Sequence, residues 1–391
     1  MKNYSKIISL VLLSFSILLL FYVFYRSQIY HGGSNFNYYL IYYIITFLLI
    51  VFSLVSFIIP KKLKINITLC LISAVVSLYL VEGYIIISKK KLLHYNSINK
   101  IYKKSTGKDY DKRSQTEVYY DLKKKNPNIA VSIAPRYFFG QKDLNSLPLS
   151  GLSNRETILC NENGYYSIYQ SDRYGFNNPD IEWSKEEIEF LLLGDSFTHG
   201  YCVNEPDTIG GNLRKLNKNN NGVLNLGQGS SGPLIEFAIL REYLPIKKVK
   251  RVLWLYCGCN DLIDLNLEKT NKILLNYLKD KSFKQNLISK KQEMEQIKLE
   301  LLKREEEKII DSRAIEFLSF IKLYSLRHFI LDKQISQPPP RLATLKEFKD
   351  LFKLVIEFTK QNNSKLYFVY LPCYEEIIYY DRYVNKKNIE K

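Results

Sequence analysis

Residues 190–200 read Phe190-Leu191-Leu192-Leu193-Gly194-Asp195-Ser196-Phe197-Thr198-His199-Gly200. An apolar, strand-like run halts at Gly194-Asp195-Ser196, and a helix is expected to begin at once. A serine between the carboxyl end of a buried strand and the amino end of a helix stands where a nucleophile stands. The tight turn lifts its hydroxyl out of the sheet, and the helix start offers backbone N–H groups and the positive end of a dipole. Ligand sites in open α/β sheets lie along that edge.

The pattern continues downstream. Residues 188–193 read as a first strand, 223–226 as a second, 252–256 as a third and 366–371 as a fourth, with helices over 233–244 and 345–360. Strand and helix in alternation imply a parallel sheet covered on both faces. Two further strand ends carry chemistry. The second runs into Asn225-Leu226-Gly227-Gln228-Gly229-Ser230-Ser231-Gly232, and the third into Gly258-Cys259-Asn260-Asp261. Acyl transfer by serine needs a nucleophile, oxyanion donors, a base and a carboxylate to orient that base. Glycines let backbone N–H groups approach a substrate closely, and the Asn260 amide can donate to an oxyanion without carrying charge.

Gly194-Asp195-Ser196, the glycine-bearing loop after Asn225, and Gly258-x-Asn260-Asp261 resemble, in order and spacing, the first three sequence blocks of the SGNH (GDSL) hydrolase family. The stretch from about 157 to 256, with Asp172-Arg173-Tyr174-Gly175-Phe176-Asn177-Asn178-Pro179, is similar to membrane-anchored bacterial members. The resemblance implies a flavodoxin-like α/β/α fold and ester hydrolysis or acyl transfer. It implies Ser196 as nucleophile and first oxyanion donor, a backbone N–H of the Gly229–Gly232 loop as second donor, and the Asn260 side chain as third. Asp195 would organise the turn. No cofactor and no metal are implied, and the substrate expected is an ester-bearing small molecule or an acylated envelope polysaccharide.

The family's last block, Asp-x-x-His after a fifth strand, has no match in this sequence. The histidines are His31, His94, His199 and His328. His199 follows Ser196 by three residues, a short tether for a base, and is expected to be a solvent-exposed helix residue. The alternative to an active esterase is therefore a catalytically incomplete relative, or a chain lacking its C-terminal strand. Residues 227–232 also match the dinucleotide-binding pattern G-x-G-x-x-G between a strand and a helix. The acidic residue that fold needs at the end of the next strand is not in place, since Asp261 comes late.

Three apolar runs, 7–25, 38–59 and 65–87, are each long enough for a bilayer of about 30 Å. The first lacks a small-residue cleavage site, which favours a retained anchor over a signal peptide. The organisation expected is a three-helix transmembrane anchor over 1–91, a polar accessory region over 92–185, and the α/β domain over 186–391. The flanking lysines slightly favour a cytoplasmic N-terminus, so three spans put the soluble portion outside. Glu82 is expected at the interface or snorkelling to it. A charged helical insertion at about 264–340 reads as a solvated arm, with a lid or a contact helix for another protein as alternatives. The net charge of +17 comes from lysines spread along the chain, and no nucleic-acid module is visible. Cys160 and Cys202 flank the Ser196 region and are the pair expected to bridge. Cys257 and Cys259 are too close to bridge each other.

Overall fold

The computed structural model describes residues 2–30, 36–90, 93–141, 144–218, 220–310, 312–331 and 342–372. His31, Cys373 and the Pro338-Pro339-Pro340 break lie outside them. Two compact units result, Met1–Lys91 with Glu316–Gln334, and Leu92–Ile315 with Ile335–Lys391.

The first unit is built on helices α1 (Lys2–Phe24), α2 (Phe36–Val55) and α3 (Lys61–Lys90). Two stretches are long and apolar enough to cross a membrane, Lys6–Ile29 and Lys61–Ser88, whereas the third, Tyr39–Val55, is a shorter apolar helix. That corrects the expectation of three equivalent spans. The apolar run does continue through Phe57, Ile58 and Ile59, but the chain turns there ahead of Pro60, which disfavours helix in the residue before it. Ser16 Oγ and Ser53 Oγ meet at 3.1 Å, tying α1 to α2, and Lys64 Nζ donates to Ser9 Oγ at 2.9 Å. Glu82 is fully buried. Its carboxylate accepts the Ser325 and Leu326 N–H groups at 2.9 and 2.7 Å, where the helix Tyr324–Leu331 begins. It acts as an N-cap supplied from another helix, satisfying donors that a helix start leaves open.

The second unit holds helices α4 (Leu93–Thr106) and α5 (Gln115–Lys123), then a small sheet of β1 (Ala130–Val131), β2 (Glu156–Ile158) and β3 (Ile168–Gln170). Next come β4 (Glu187–Gly194), α6 (Ser196–His199), α7 (Ile209–Leu216), β5 (Gly222–Asn225), α8 (Pro233–Tyr243), β6 (Lys248–Cys257), α9 (Asp261–Glu268), α10 (Lys272–Lys279), α11 (Lys291–Ile310), α12 (Ser312–Ile321), α13 (Tyr324–Leu331), α14 (Leu342–Gln361) and β7 (Lys365–Leu371), of which α13 and the part of α12 from Glu316 belong to the first unit. Strands β4 to β7 form one sheet in the order β5-β4-β6-β7, parallel at every pairing. The four expected strands are these four.

One face of the sheet carries most of the core. Every residue of α8 is buried, and Trp254 of β6 stacks on Phe352 of α14 with ring centroids 5.6 Å apart. The other face is thinner, with Leu192, Val223 and Leu255 packed against Leu213 of α7. The insertion is not a solvated arm. Leu274, Tyr277, Leu287, Met294, Leu301 and Leu302 all join the core, and Glu316–Gln334 belongs to the other unit. Charged residues at helical spacing had masked an amphipathic face.

Gly194 makes the strand-to-helix turn possible. Its φ is +154°, and a Cβ there would stand 2.6 Å from the Leu255 carbonyl oxygen and 2.2 Å from Thr198 Oγ1. Gly194→Ala is expected to destabilise the second unit by about 2–4 kcal/mol, read as a shift in the denaturant midpoint of tryptophan fluorescence. Both tryptophans, Trp183 and Trp254, are buried in that unit, so the signal reports it.

Candidate functional site

Strands β5, β4 and β6 are neighbours, so their carboxyl ends, at Asn225, Gly194 and Cys257, lie side by side. Ser196 is the first residue of α6 and is half-buried, with Phe197 exposed beside it. Asp195 caps this helix, its Oδ1 accepting the Phe197 N–H at 2.9 Å. The Ser196 N–H belongs to the open first turn, which has no intrahelical acceptor. Burial raises the Asp195 carboxyl above its usual range, while the Phe197 N–H and the Asn260 and Ser196 side chains beside it favour the charged form. Asp195, Ser196 and Asn260 are thus brought together from two strand ends.

Asn260 precedes α9, and its amide donates to Asp264 Oδ2 at 2.9 Å. Asp264 in turn pairs with Arg136. The loop after β5 is committed in two of the places expected to serve an oxyanion. The Gly229 N–H donates to His199 Nδ1 at 3.2 Å. The Gly232 N–H donates to Glu268 Oε1 at 2.5 Å. Among the described residues, the N–H groups of Ser230 and Ser231 between them meet no protein acceptor.

His199 is fully buried, against the expectation of an exposed residue. Its Nδ1 takes the Gly229 N–H, and its Nε2 lies 3.3 Å from the Tyr169 hydroxyl. An acceptor at Nδ1 means that Nε2 carries the proton of a neutral ring. Burial pushes its pKa down to about 4. It is a pin joining β3, α6 and the loop, and both its nitrogens are engaged. The physical reason for the departure is the shortness of α6, four residues long, which turns its last side chain inward under the following loop.

Several contributors were not legible in the sequence. Asp172 is buried and accepts from the Tyr174 and Phe176 N–H groups, the Asn178 amide and Trp183 Nε1. Asn178 then pairs with the backbone of Asn225 in both directions, at 2.7 and 2.9 Å. Asn177 donates to the His199 carbonyl at 2.9 Å. The Asn225 side chain bridges the Thr198 carbonyl and the Gly227 N–H at 2.7 and 2.9 Å. The only sequence signal for these contacts was the cluster of Asp and Asn in 172–178.

Beneath the turn lies a group of buried carboxylates. Asp261 Oδ2 accepts the Cys257 N–H at 2.8 Å. Glu236 Oε2 accepts from Trp254 Nε1 at 2.6 Å. Glu268 accepts the N–H groups that start α8. Burial pushes Asp261 up to about 9, with the Asp195 charge adding to the shift. Burial also lifts Glu268 to about 7 and Glu236 well above the carboxylate range. Asp195 Oδ2, Thr198 Oγ1, Gln228 Nε2, Ser231 Oγ, Glu236 Oε1 and Asp261 Oδ1 are buried polar atoms without a protein partner. Such atoms are uncommon in native structures, and here they gather at one edge of one sheet. No group of acidic, histidine or cysteine side chains suited to a metal ion occurs among the described residues. A disulfide joins Cys160 to Cys202, and Cys259 is also disulfide-bonded.

No family model matches the chain, and no curated protein matches it.

The carboxylates and His199 shape stability in opposite directions. A folded value near 9 for Asp261, above about 3.9 in the unfolded chain, gives a contribution that is complete at acid pH and lost as pH rises toward 9. A folded value near 4 for His199, below about 6.5 unfolded, gives a contribution complete above 6.5 and lost as pH falls toward 4. Melting followed by tryptophan fluorescence should show both limbs. Asp261→Asn should flatten the alkaline limb and leave the acid one. His199→Ala should cost about 1–3 kcal/mol for the buried Gly229 N–H left without a partner, and should weaken the acid limb.

Proposed function

We propose that this chain is a membrane-anchored serine esterase or O-acyltransferase of the SGNH (GDSL) type, acting on an acylated envelope glycan or a similar ester. The observation that carries the reading is the meeting of Ser196, Asn260 and the loop after Asn225 at adjacent carboxyl ends of one parallel sheet. The strand order β5-β4-β6-β7 supports a flavodoxin-like arrangement, and ligands bind at the switch points of such sheets.

In this mechanism Ser196 Oγ attacks the acyl carbonyl carbon. The tetrahedral oxyanion receives hydrogen bonds from the Ser196 N–H, from the Asn260 amide, and from the Ser230–Ser231 stretch. The N–H groups of Gly229 and Gly232 are already given to His199 and Glu268, so the loop donor moves to the residues between them. Asp195 holds the turn through its cap on α6. As the ester C–O bond breaks, the proton given up by Ser196 Oγ ends on the departing oxygen, which leaves as the alcohol. Water or another alcohol then adds to the acyl-Ser196 carbonyl, the Ser196 ester bond breaks, and the acceptor's proton returns to Ser196 Oγ.

The disulfide Cys160–Cys202 supports an oxidising compartment for the second unit. The two long apolar helices support a membrane anchor. A third crossing by the shorter α2, from an N-terminus inside, would put the second unit outside the cytoplasm. The bilayer is then the chain's standing partner.

A second reading has its own observation. Both ring nitrogens of His199 are engaged, and no other described histidine side chain stands at the site. On that reading the chain is a catalytically incomplete relative that keeps the cleft without the base. Full-length protein in lipid nanodiscs, assayed with p-nitrophenyl acetate, separates the two. The enzyme reading expects Ser196→Ala to lower the rate by at least about 100-fold. Equal rates for the two proteins would leave the scaffold reading standing.

A further inference from the structure

The segment Glu316–Gln334 is remote from α3 in the chain, yet the two belong to one compact unit. It holds the last part of α12 and all of α13. Three contacts seat it on α3. The Tyr79 hydroxyl donates to the Ile321 carbonyl at 2.9 Å. The Tyr79 ring meets Phe320 with centroids 5.3 Å apart. The Glu82 carboxylate accepts the Ser325 and Leu326 N–H groups.

The turn between two helices leaves carbonyl groups open on one side and N–H groups open on the other. In water, solvent meets them. Here the side chains of α3 meet the Ile321 carbonyl and two N–H groups of α13, and the Lys322 and Leu323 N–H groups return to the Leu318 and Phe320 carbonyls. Hydrocarbon offers no hydrogen bond, so backbone polar groups within it have to be met by protein. The position on α3 agrees. Tyr79 and Glu82 stand eight and five residues before Ile87, where the apolar run ends. At about 1.5 Å per residue they lie roughly 8–12 Å inside it. The hairpin is also apolar on more than its docked side. Phe317, Leu318, Ile321, Tyr324 and Phe329 are exposed, and Leu78, Leu80 and Val81 are exposed at the same level of α3.

We propose that α12 and α13 form a hairpin that dips into the lipid boundary beside α3 and returns on the same side, held there by Tyr79 and Glu82. The chain thus re-enters the bilayer after leaving it at the end of α3. The proposal rests on α3 crossing a bilayer and is independent of the chemistry at Ser196. Neither helix crosses, since they have 10 and 8 residues where a span needs about 20. Lys322 is exposed at the turn, and its stem is long enough to carry the ammonium to headgroup phosphates. A water-facing hairpin fits poorly, because its large apolar side chains would stand together in solvent.

The test uses full-length protein in nanodiscs, with a tryptophan placed by Phe317→Trp or Phe329→Trp and, at the same level of α3, by Leu80→Trp. All three side chains are exposed, so the variants should keep the parent melting temperature. Discs of plain phosphatidylcholine are compared with discs of phosphatidylcholine brominated near the carbonyl end of one acyl chain. The unchanged protein supplies the signal of Trp183 and Trp254, which is subtracted. Bromine is expected to remove at least about half of the added emission at 317 and 329, as at 80, because an interfacial helix buries its apolar face about 5–10 Å into that region. Glu82→Leu should lessen the loss at 329, and Glu82→Gln, which keeps an acceptor oxygen, should preserve it. Quenching at 80 without quenching at 317 and 329 overturns the hairpin, whether water or a second copy of this chain covers it. Quenching absent at all three positions overturns it together with the membrane reading of α3. An undiminished loss at 329 in Glu82→Leu overturns the seating by Glu82.

Discussion

The paired hydrogen bonds between the Asn178 side chain and the backbone of Asn225 are the constraint on which the site depends. β5 is an edge strand, and at Asn225 its outward N–H and C=O need partners. The Asn178 amide supplies both, as a neighbouring strand would. Asp172 holds that amide in place and is itself buried among four donors. The accessory segment therefore completes the sheet edge beside the cleft. Asn225, fixed in this way, reaches with its own side chain to α6 and to Gly227, setting the loop against the serine helix.

A polar interior follows from that arrangement. α6 is short, so His199 turns inward and becomes the pin between β3 and the loop. α8 begins beneath the loop, and its open N–H groups are met by Glu268 rather than by a local cap. Asp195, Glu236 and Asp261 stand close enough to raise one another's affinity for protons. Their burial is tolerated because most of these carboxyls hold a backbone N–H or an indole, but several retain one atom with no partner. Strain of this electrostatic kind belongs with a site more than with a core.

The strands of the main sheet were legible because buried parallel strands are continuous apolar runs bounded by glycine and polar residues. Ser196, Asp195 and Asn260 were legible because a strand end followed by a helix start is a local feature. The burial of His199 was not, since it depends on Tyr169 and Gly229, each 30 residues away. The role of Gly229 and Gly232 was half legible. Glycines marked a close backbone approach, but the approach is to His199 and Glu268. Leu301 and Leu302 were visible as helical periodicity, yet their charge-rich surroundings read as a solvated arm. The capping role of Glu82 was likewise hidden, because its partners at 325 and 326 are remote in the chain.

By itself the sequence determined the parallel sheet, the apolar N-terminal helices, and the strand ends that carry Ser196 and Asn260. Each follows from local periodicity, or from residue types that tolerate only one backbone conformation. Tertiary structure alone decided which N–H groups of the glycine loop are spent, which histidine is buried and neutral, and how the segment 172–178 closes the sheet edge. Those outcomes hang on side chains meeting across long stretches of chain in a medium where an unpaired polar group is costly. No local pattern encodes such a meeting.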